Sequence, residues 1–175
     1  MNRHFADRKN GLIWQKYDLR NGQKFVKQND VLDSWSSDTE IKKYINNCMS
    51  ISAKFTAMLG EYNGLYYAFE KKNLVGACVV TTANRGYDVV TIEYIVVDPM
   101  HKNSGIATRM VASIQQNPKM FSGQYFGKID AFVEVSNKPS QRVFLKNKFK
   151  VYNRPEDMEI LRGYYRMYYD ERIKD

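Results

Sequence analysis

Two short stretches of this chain hold residue types whose order can do chemistry. The first is Lys102-Asn103-Ser104-Gly105-Ile106-Ala107-Thr108, which follows a β-branched run and a proline and opens a helical pattern. Successive backbone N–H groups at such a turn, with the positive end of a helix dipole behind them, form a site for a phosphate or pyrophosphate. Gly105 and the small Ala107 let a ligand approach the main chain, although many strand-to-helix connections carry a glycine for turn geometry alone. The second is Glu93, a carboxylate inside the otherwise apolar run Val89-Val90-Thr91-Ile92-Glu93-Tyr94-Ile95-Val96-Val97. A carboxylate there is costly to bury unless paired. It is therefore either a general base, acting directly or through a held water, or a structural group that faces solvent or pairs with an Arg or Lys.

Periodicity and punctuation give the elements that must position these groups. From Asn2 to Gln28 the pattern is weak, and Gln23-Lys24-Phe25-Val26-Lys27 reads as a short edge strand. Ser37-Asp38-Thr39-Glu40 offers a capping box, after which Ile41, Tyr44, Ile45, Cys48 and Met49 recur on one helix face. Ile51, Phe55, Met58 and Leu59 repeat that spacing as far as Gly60, so a second helix or kinked continuation is expected. Leu65 to Phe69 and Leu74 to Thr82 read as an antiparallel hairpin turning at Lys71-Lys72-Asn73, with a further turn at Asn84-Arg85-Gly86. The run from Val89 to Val97 is β-branched and almost continuously apolar, the pattern of a central strand covered on both faces. Asp98-Pro99 ends it, because proline cannot donate to a ladder.

After the glycine turn, Ile106, Met110, Val111 and Ile114 predict a helix to about Gln116, and Lys128 to Val135 alternates as a strand. Asn137-Lys138-Pro139-Ser140 has the form of an N-cap with proline in the first turn, opening a short helix through Phe144 and Leu145. Phe149 to Tyr152 and Tyr164 to Tyr169 read as late strands. Helices alternating with strands place the chain in the α/β or α+β class, on a mixed, largely antiparallel sheet.

Composition narrows the classes. A chain of 175 residues is the length of one domain, and 43% hydrophobic with 26% charged residues excludes wholesale disorder. Lys and Arg number 27 against 19 Asp and Glu, a formal charge of +8 that favours phosphate cofactors, nucleic acid or an anionic surface as partners. With only Cys48, Cys78, His4 and His101 available, a clustered zinc site is not expected, and no metal is. Met1 to Lys9 lacks the apolar stretch of a secretory leader and no run approaches the ~18 apolar residues of a membrane span, so a cytoplasmic protein without a membrane partner is expected.

Two segments, Ile95 to Ala107 and Asn137 through Phe144-Leu145-Lys146-Asn147-Lys148-Phe149, together resemble the GNAT superfamily of acyl-CoA-dependent N-acetyltransferases. The first resembles its pyrophosphate loop after the Val-x-Pro strand end, and the second its Asn-x-x-Ser helix leading to a Phe-containing strand. The resemblance implies a single GNAT-like domain in which strands splay apart at the acyl-CoA site. Residues 1–64 would be a helical acceptor-side region and 65–169 the acyl-CoA-binding core. Main-chain groups of Ile95, Val96 and Val97 would pair with pantetheine. Lys102, Asn103, Ser104, Gly105, Ile106, Ala107 and Thr108 would hold the pyrophosphate, and Asn137 with Ser140 would meet the pantetheine or phosphates.

Three departures from the family pattern stand out. Lys102 replaces an Arg or Gln, which keeps charge without the planar fork; Lys148 replaces a glycine; and Phe144, at the cofactor-side position, replaces a tyrosine that protonates the leaving thiolate in many relatives. The implied chemistry is direct transfer of an acetyl group from acetyl-CoA to a primary amine of a small molecule or protein, with Glu93 as base. The basic run Lys138, Arg142, Lys146, Lys148, Lys150 and Arg154 fits the 3′-phosphate of CoA or a nucleic acid. It keeps two alternatives in view: a toxin-like relative acetylating charged tRNA, and a non-catalytic CoA- or nucleic-acid-binding module.

Overall fold

The computed structural model describes residues 4–18, 23–39, 42–46, 64–82, 89–123, 127–152 and 163–172. Its strands are β1 (His4–Asp7), β2 (Leu12–Lys16), β3 (Gly64–Glu70), β4 (Asn73–Thr81), β5 (Val89–Val97), β6 (Lys128–Glu134), β7 (Lys150–Val151) and β8 (Tyr164–Asp170). Helices are α1 (Val26–Ser34), α2 (described at 42–46), α3 (Ile106–Gln116), α4 (Pro118–Ser122) and α5 (Lys138–Lys146). The strands form one sheet in the order β1-β2-β3-β4-β5-β6-β8-β7. Every neighbouring pair is antiparallel except β5 and β6. A parallel pair needs a crossover, and α3 and α4 supply it.

Each face of the sheet has its own core. On one side Ile106, Met110, Val111 and Ile114 of α3, Phe121 of α4 and Phe144 of α5 pack on Val75, Cys78, Val80, Ile92, Ala131 and Met167. On the other, Phe25, Leu32, Trp35 and Ile45 pack on Leu65, Tyr67, Ala77, Val79 and Val96. β5 is therefore covered on both sides, as its continuous apolar run requires. Gly76 lets α3 lie close to the sheet, since a Cβ there would meet Met110 Sδ at 2.6 Å and the Val96 carbonyl oxygen at 3.0 Å.

The hairpin of β3 and β4, the strands β5, β6 and β8, and the helices α3 and α5 lie where the periodicity places them. The N-terminal region differs. Gln23 to Lys27 is not an edge strand: residues 23–25 form a 3₁₀ turn and Val26 begins α1. Phe25, Leu32 and Trp35 are buried at the seven- and three-residue spacing of a helix stripe while Val26 is 51% exposed, so helical burial wins over local β-propensity. Residues 1–64 are also not wholly helical, because β1 and β2 form a hairpin on β3. Trp14 anchors it, fully buried with Nε1 donating to Ser113 Oγ at 2.8 Å. The expected helix carrying Ile51, Phe55, Met58 and Leu59, the turn at Asn84-Arg85-Gly86, and Cys48, Met49 and Arg154 lie outside the described residues. Among the described residues, no helix is long and apolar enough to cross a membrane.

Candidate active site where two strands part

β5 and β6 pair only from Val89 opposite Lys128 to Ile92 opposite Ala131. Beyond that, β6 continues to Glu134 with β8, and β5 continues to Val97 with β4, so a gap opens between them. A bulge coincides with the parting: Val80 faces Ile92 and Val79 faces Tyr94, which leaves Glu93 as the extra residue. Bulges bend and twist the strand that carries them. This one also resets the side-chain alternation, since Ile92 and Ile95 belong to the α3-side core while Tyr94 and Val96 belong to the α1-side core.

Glu93 is half-buried, and its Oε1 accepts a hydrogen bond from Thr81 Oγ1 at 2.7 Å. Thr81 is fully buried on β4, two residues beyond Val79 and so on the same, α1-side face. The carboxylate thus has a neutral hydroxyl partner across the strand pair. Nothing in the sequence around Glu93 signals Thr81, because the two meet only through the β4–β5 register.

Main-chain polarity along β5 follows from one bond. The Asp98 N–H donates to the Val75 carbonyl at 3.0 Å, and main-chain groups alternate between strand edges. Val96 and Tyr94 therefore spend theirs on β4, while Ile95 and Val97 turn theirs to the gap. Of the three residues expected to meet a ligand through the main chain, Val96 is therefore the one whose main-chain groups face β4 rather than the gap, and its side chain is buried in the α1-side core.

At the end of β5 the chain is forced to turn. Asp98 accepts the Met100 N–H at 2.9 Å through Oδ1, and its Oδ2 lies 3.1 Å from His101 Nδ1. Asn103 and Gly105 then take positive φ of 63° and 81°. Gly105 has open space where a Cβ would stand, so conformation rather than crowding demands glycine there. It caps α3, whose first intrahelical bond runs from the Arg109 N–H to the Gly105 carbonyl at 3.0 Å. The N–H groups of Ile106, Ala107 and Thr108 in the first turn have no carbonyl behind them and point outward. Lys102, Asn103, Ser104 and Gly105 are exposed, whereas Ile106 is buried and pins the turn to the core. The Ser104 hydroxyl donates to the His101 carbonyl at 2.6 Å, and Lys102 Nζ lies 2.7 Å from Asp38 Oδ2.

α5 begins near the other lip of the gap, three residues after β6 ends. Asn137 caps it by accepting the Ser140 N–H on Oδ1 at 3.1 Å, so the expected pair acts first on its own helix. Phe144 is 5% exposed and packs on Phe149 with ring centroids 4.9 Å apart. It is brought into the core rather than to the open gap. Lys148, where a glycine was expected, takes φ 62° and strains a non-glycine backbone. Asn147 is a positioning residue that sequence reading missed. Its Nδ2 donates to the carbonyls of Thr108 (3.1 Å) and Val143 (2.9 Å), fastening α5 to the first turn of α3. Lys138, Arg142 and Lys146 lie exposed along the outer face of α5. Among the described residues no cluster of three His, Cys, Asp or Glu could hold a metal ion.

The sequence profile of the acetyltransferase (GNAT) family matches residues 29–149. No curated protein sequence matches the chain. Among solved structures, a GNAT-family acetyltransferase from Bacillus anthracis is similar with TM-score 0.63 at 17% identity, covering 99% of this chain and 100% of that one. A chimera of spermidine N-acetyltransferase SpeG from Vibrio cholerae and hSSAT gives TM-score 0.60 at 16% identity over 93% and 96%. Campylobacter jejuni N-acetyltransferase PseH in complex with acetyl coenzyme A gives 0.57 at 12% identity over 83% and 92%. At these identities the likeness is one of fold.

Proposed function

The chain belongs to the acetyltransferase (GNAT) family, and from that premise we propose that it transfers an acetyl group from acetyl-CoA to a primary amine by direct attack. The observation that carries this reading is the gap between β5 and β6 with the Gly105 turn at its mouth. The residues fit acetyl-CoA. An extended pantetheine arm needs a strand edge with unspent main-chain groups, which Ile95 and Val97 offer. A pyrophosphate needs outward N–H groups at a helix N-terminus, which Ile106, Ala107 and Thr108 offer beside the Lys102 ammonium. The amide nitrogen of Asn137 stands at the α5 lip of the same gap.

Each group then has a role. The Glu93 carboxylate, held by Thr81 on the α1-side face, takes a proton from the incoming ammonium, directly or through a water. The neutral amine attacks the thioester carbonyl carbon, the C–N bond forms, the C–S bond breaks to release the thiolate, and the nitrogen gives its remaining extra proton to that thiolate or to water, leaving the amide and CoA. An N–H on the gap edge of β5 stabilises the charge that develops on the carbonyl oxygen. A thiol ionises near pH 8.5 in cysteine, so the thiolate leaves without a strong acid, and the core position of Phe144 is compatible with turnover. The acceptor is an amine-bearing small molecule or protein, entering from the face onto which Glu93 opens.

Thiol release from acetyl-CoA across a panel of primary amines, with mass detection of the acetylated product, tests the reaction. Glu93→Gln should lower kcat by on the order of 100- to 1,000-fold while leaving the acetyl-CoA dissociation constant within about twofold. An unchanged kcat removes Glu93 from the mechanism.

A further inference from the structure

Two ion pairs connect the start of α2 to opposite sides of the gap. Asp38 has extended backbone, with φ −79° and ψ 110°, and its carbonyl accepts the Lys42 N–H at 3.1 Å, so it occupies the N-cap position of the helix. Its side chain reaches the phosphate-loop candidate, with Oδ2 2.7 Å from Lys102 Nζ. Further along the same segment, Lys43 Nζ pairs with Glu134, the last residue of β6, which also accepts from the Tyr164 hydroxyl. Lys102 stands just past the end of β5 and Glu134 ends β6. One short helical segment is therefore tethered to both lips of the mouth through which a cofactor must pass.

The two tethers are not equivalent. Glu134 lies at the end of β6, outside the loop assigned to the phosphate. Lys102 is the cation of that loop, and a carboxylate already lies against it. A pyrophosphate brought to the N–H groups of Ile106 to Thr108 must share or take the ammonium, and it must also approach the Asp38 carboxylate as a like charge. The side chains are 47% exposed for Lys102 and 19% for Asp38, so the pair is wet enough to exchange partners rather than a locked core contact.

We propose that Asp38 is a built-in competitor of the cofactor pyrophosphate for Lys102, so that loading acetyl-CoA exchanges the Asp38–Lys102 pair for a phosphate–Lys102 pair at the start of α2 while Lys43 stays paired with Glu134 of β6. The proposal rests on the assignment of Lys102 to Thr108 as the phosphate loop. It adds that cofactor binding is coupled to the helix whose Ile45 packs in the α1-side core, and that Asp38 sets cofactor affinity without belonging to either loop motif.

Calorimetric titration of the full chain with acetyl-CoA tests it. Asp38→Asn is the informative variant, because asparagine keeps the N-cap of α2 while removing the charge. It should bind acetyl-CoA about three- to fivefold more tightly than wild type at low salt, the range open to a partly exposed ion pair, with the gain shrinking as salt rises. In a Lys102→Met background the same change should move affinity by less than about 1.5-fold, since the contested cation is gone. Unchanged or weaker binding by Asp38→Asn overturns the proposal. So does equal tightening in the Lys102→Met background, which would mean that only net charge had changed. Failure of folded wild type to bind acetyl-CoA at all overturns instead the cofactor assignment, and the proposal with it.

Discussion

In its first half, Val89 to Ile92, β5 pairs with β6 throughout and with β4 at Thr91 and Ile92, whereas in its second, from Glu93 to Val97, only β4 remains beside it. Both halves are rich in β-branched residues; the first buries Val90 and Ile92 in the α3-side core, while the second packs Ile95 and Val97 against that core and buries Val96 in the α1-side core. In the first half the edge toward β6 is paired throughout. In the second, the main-chain groups of Ile95 and Val97 face a gap, an arrangement that costs stability unless water or a ligand satisfies them. The sheet holds this edge open because β6 beyond Ala131 is already committed to β8 and because the bulge at Glu93 bends β5 away. The comparison teaches that the closed half of the strand serves the fold while the parted half carries the candidate site, and that the change between them occurs at one inserted residue.

The parted half should break most completely at its mouth. Gly105→Glu forces a side chain onto a backbone with φ 81° and sets a carboxylate where an anion must bind. Strain of ~1–2 kcal/mol plus like-charge repulsion of similar size predicts acetyl-CoA binding weaker by about 100-fold. Calorimetry checks this, and retained affinity would contradict the placement of the loop. The closed half breaks through stability rather than binding. Arg166 donates through Nε (3.2 Å) and Nη2 (2.9 Å) to Asp130 Oδ2, and Asp130 is 2% exposed in β6 opposite Thr91. Arg166→Met should cost about 2–3 kcal/mol in urea unfolding with little change in acetyl-CoA affinity per folded molecule.

The bulge itself is probed by Thr81. Thr81→Val removes the donor to Glu93 with little change of shape, and kcat should fall about tenfold while KM for acetyl-CoA holds; Thr81→Ser should recover most of the rate. In a Glu93→Gln background the Thr81 change should add almost nothing, as expected for a residue acting through the carboxylate.

The smallest effect concerns the Lys43–Glu134 tether. The hydrogen bond from Lys43 holds the Glu134 carboxyl below the usual range, and the same bond raises the Lys43 ammonium. A depressed carboxyl contributes stability above its unfolded value and loses it in acid; a raised amine contributes below its unfolded value and loses it in base. The melting temperatures of wild type and Lys43→Ala should therefore differ slightly near neutrality, and converge as pH falls through the depressed Glu134 carboxyl, as it rises through the raised Lys43 ammonium, and in high salt.

Legibility follows the range of the interaction. The β5 run, the Asp98-Pro99 stop, the Gly105 turn and the Asn137 cap are local, and each stands where the spacing puts it. α1 is misread because Phe25, Leu32 and Trp35 declare a helix only when taken together, while Phe25-Val26 alone resembles a strand. The hairpin of β1 and β2 is faint because its alternation is short and its energy comes from distant partners, with Trp14 against Ser113 and Phe121. Within the candidate site, the proposed phosphate loop and Glu93 are legible as types. Thr81, Asn147 and Asp38 are not, since each acts on a residue far away in the chain: Glu93, Thr108 and Lys102 respectively.

By itself the sequence determined a central apolar strand, a proline stop, a glycine turn opening a helix, and one carboxylate inside that strand, because periodicity, turn preference and burial cost act within a few residues. The place where β5 leaves β6 could not be read there. The apolar pattern is the same on both sides of Glu93, and only the competition among β4, β6 and β8 for partners decides which edge stays open. Tertiary structure also chose the face of Glu93 and gave Lys102 its carboxylate neighbour, since both depend on register between strands and helices that meet only once the sheet has formed.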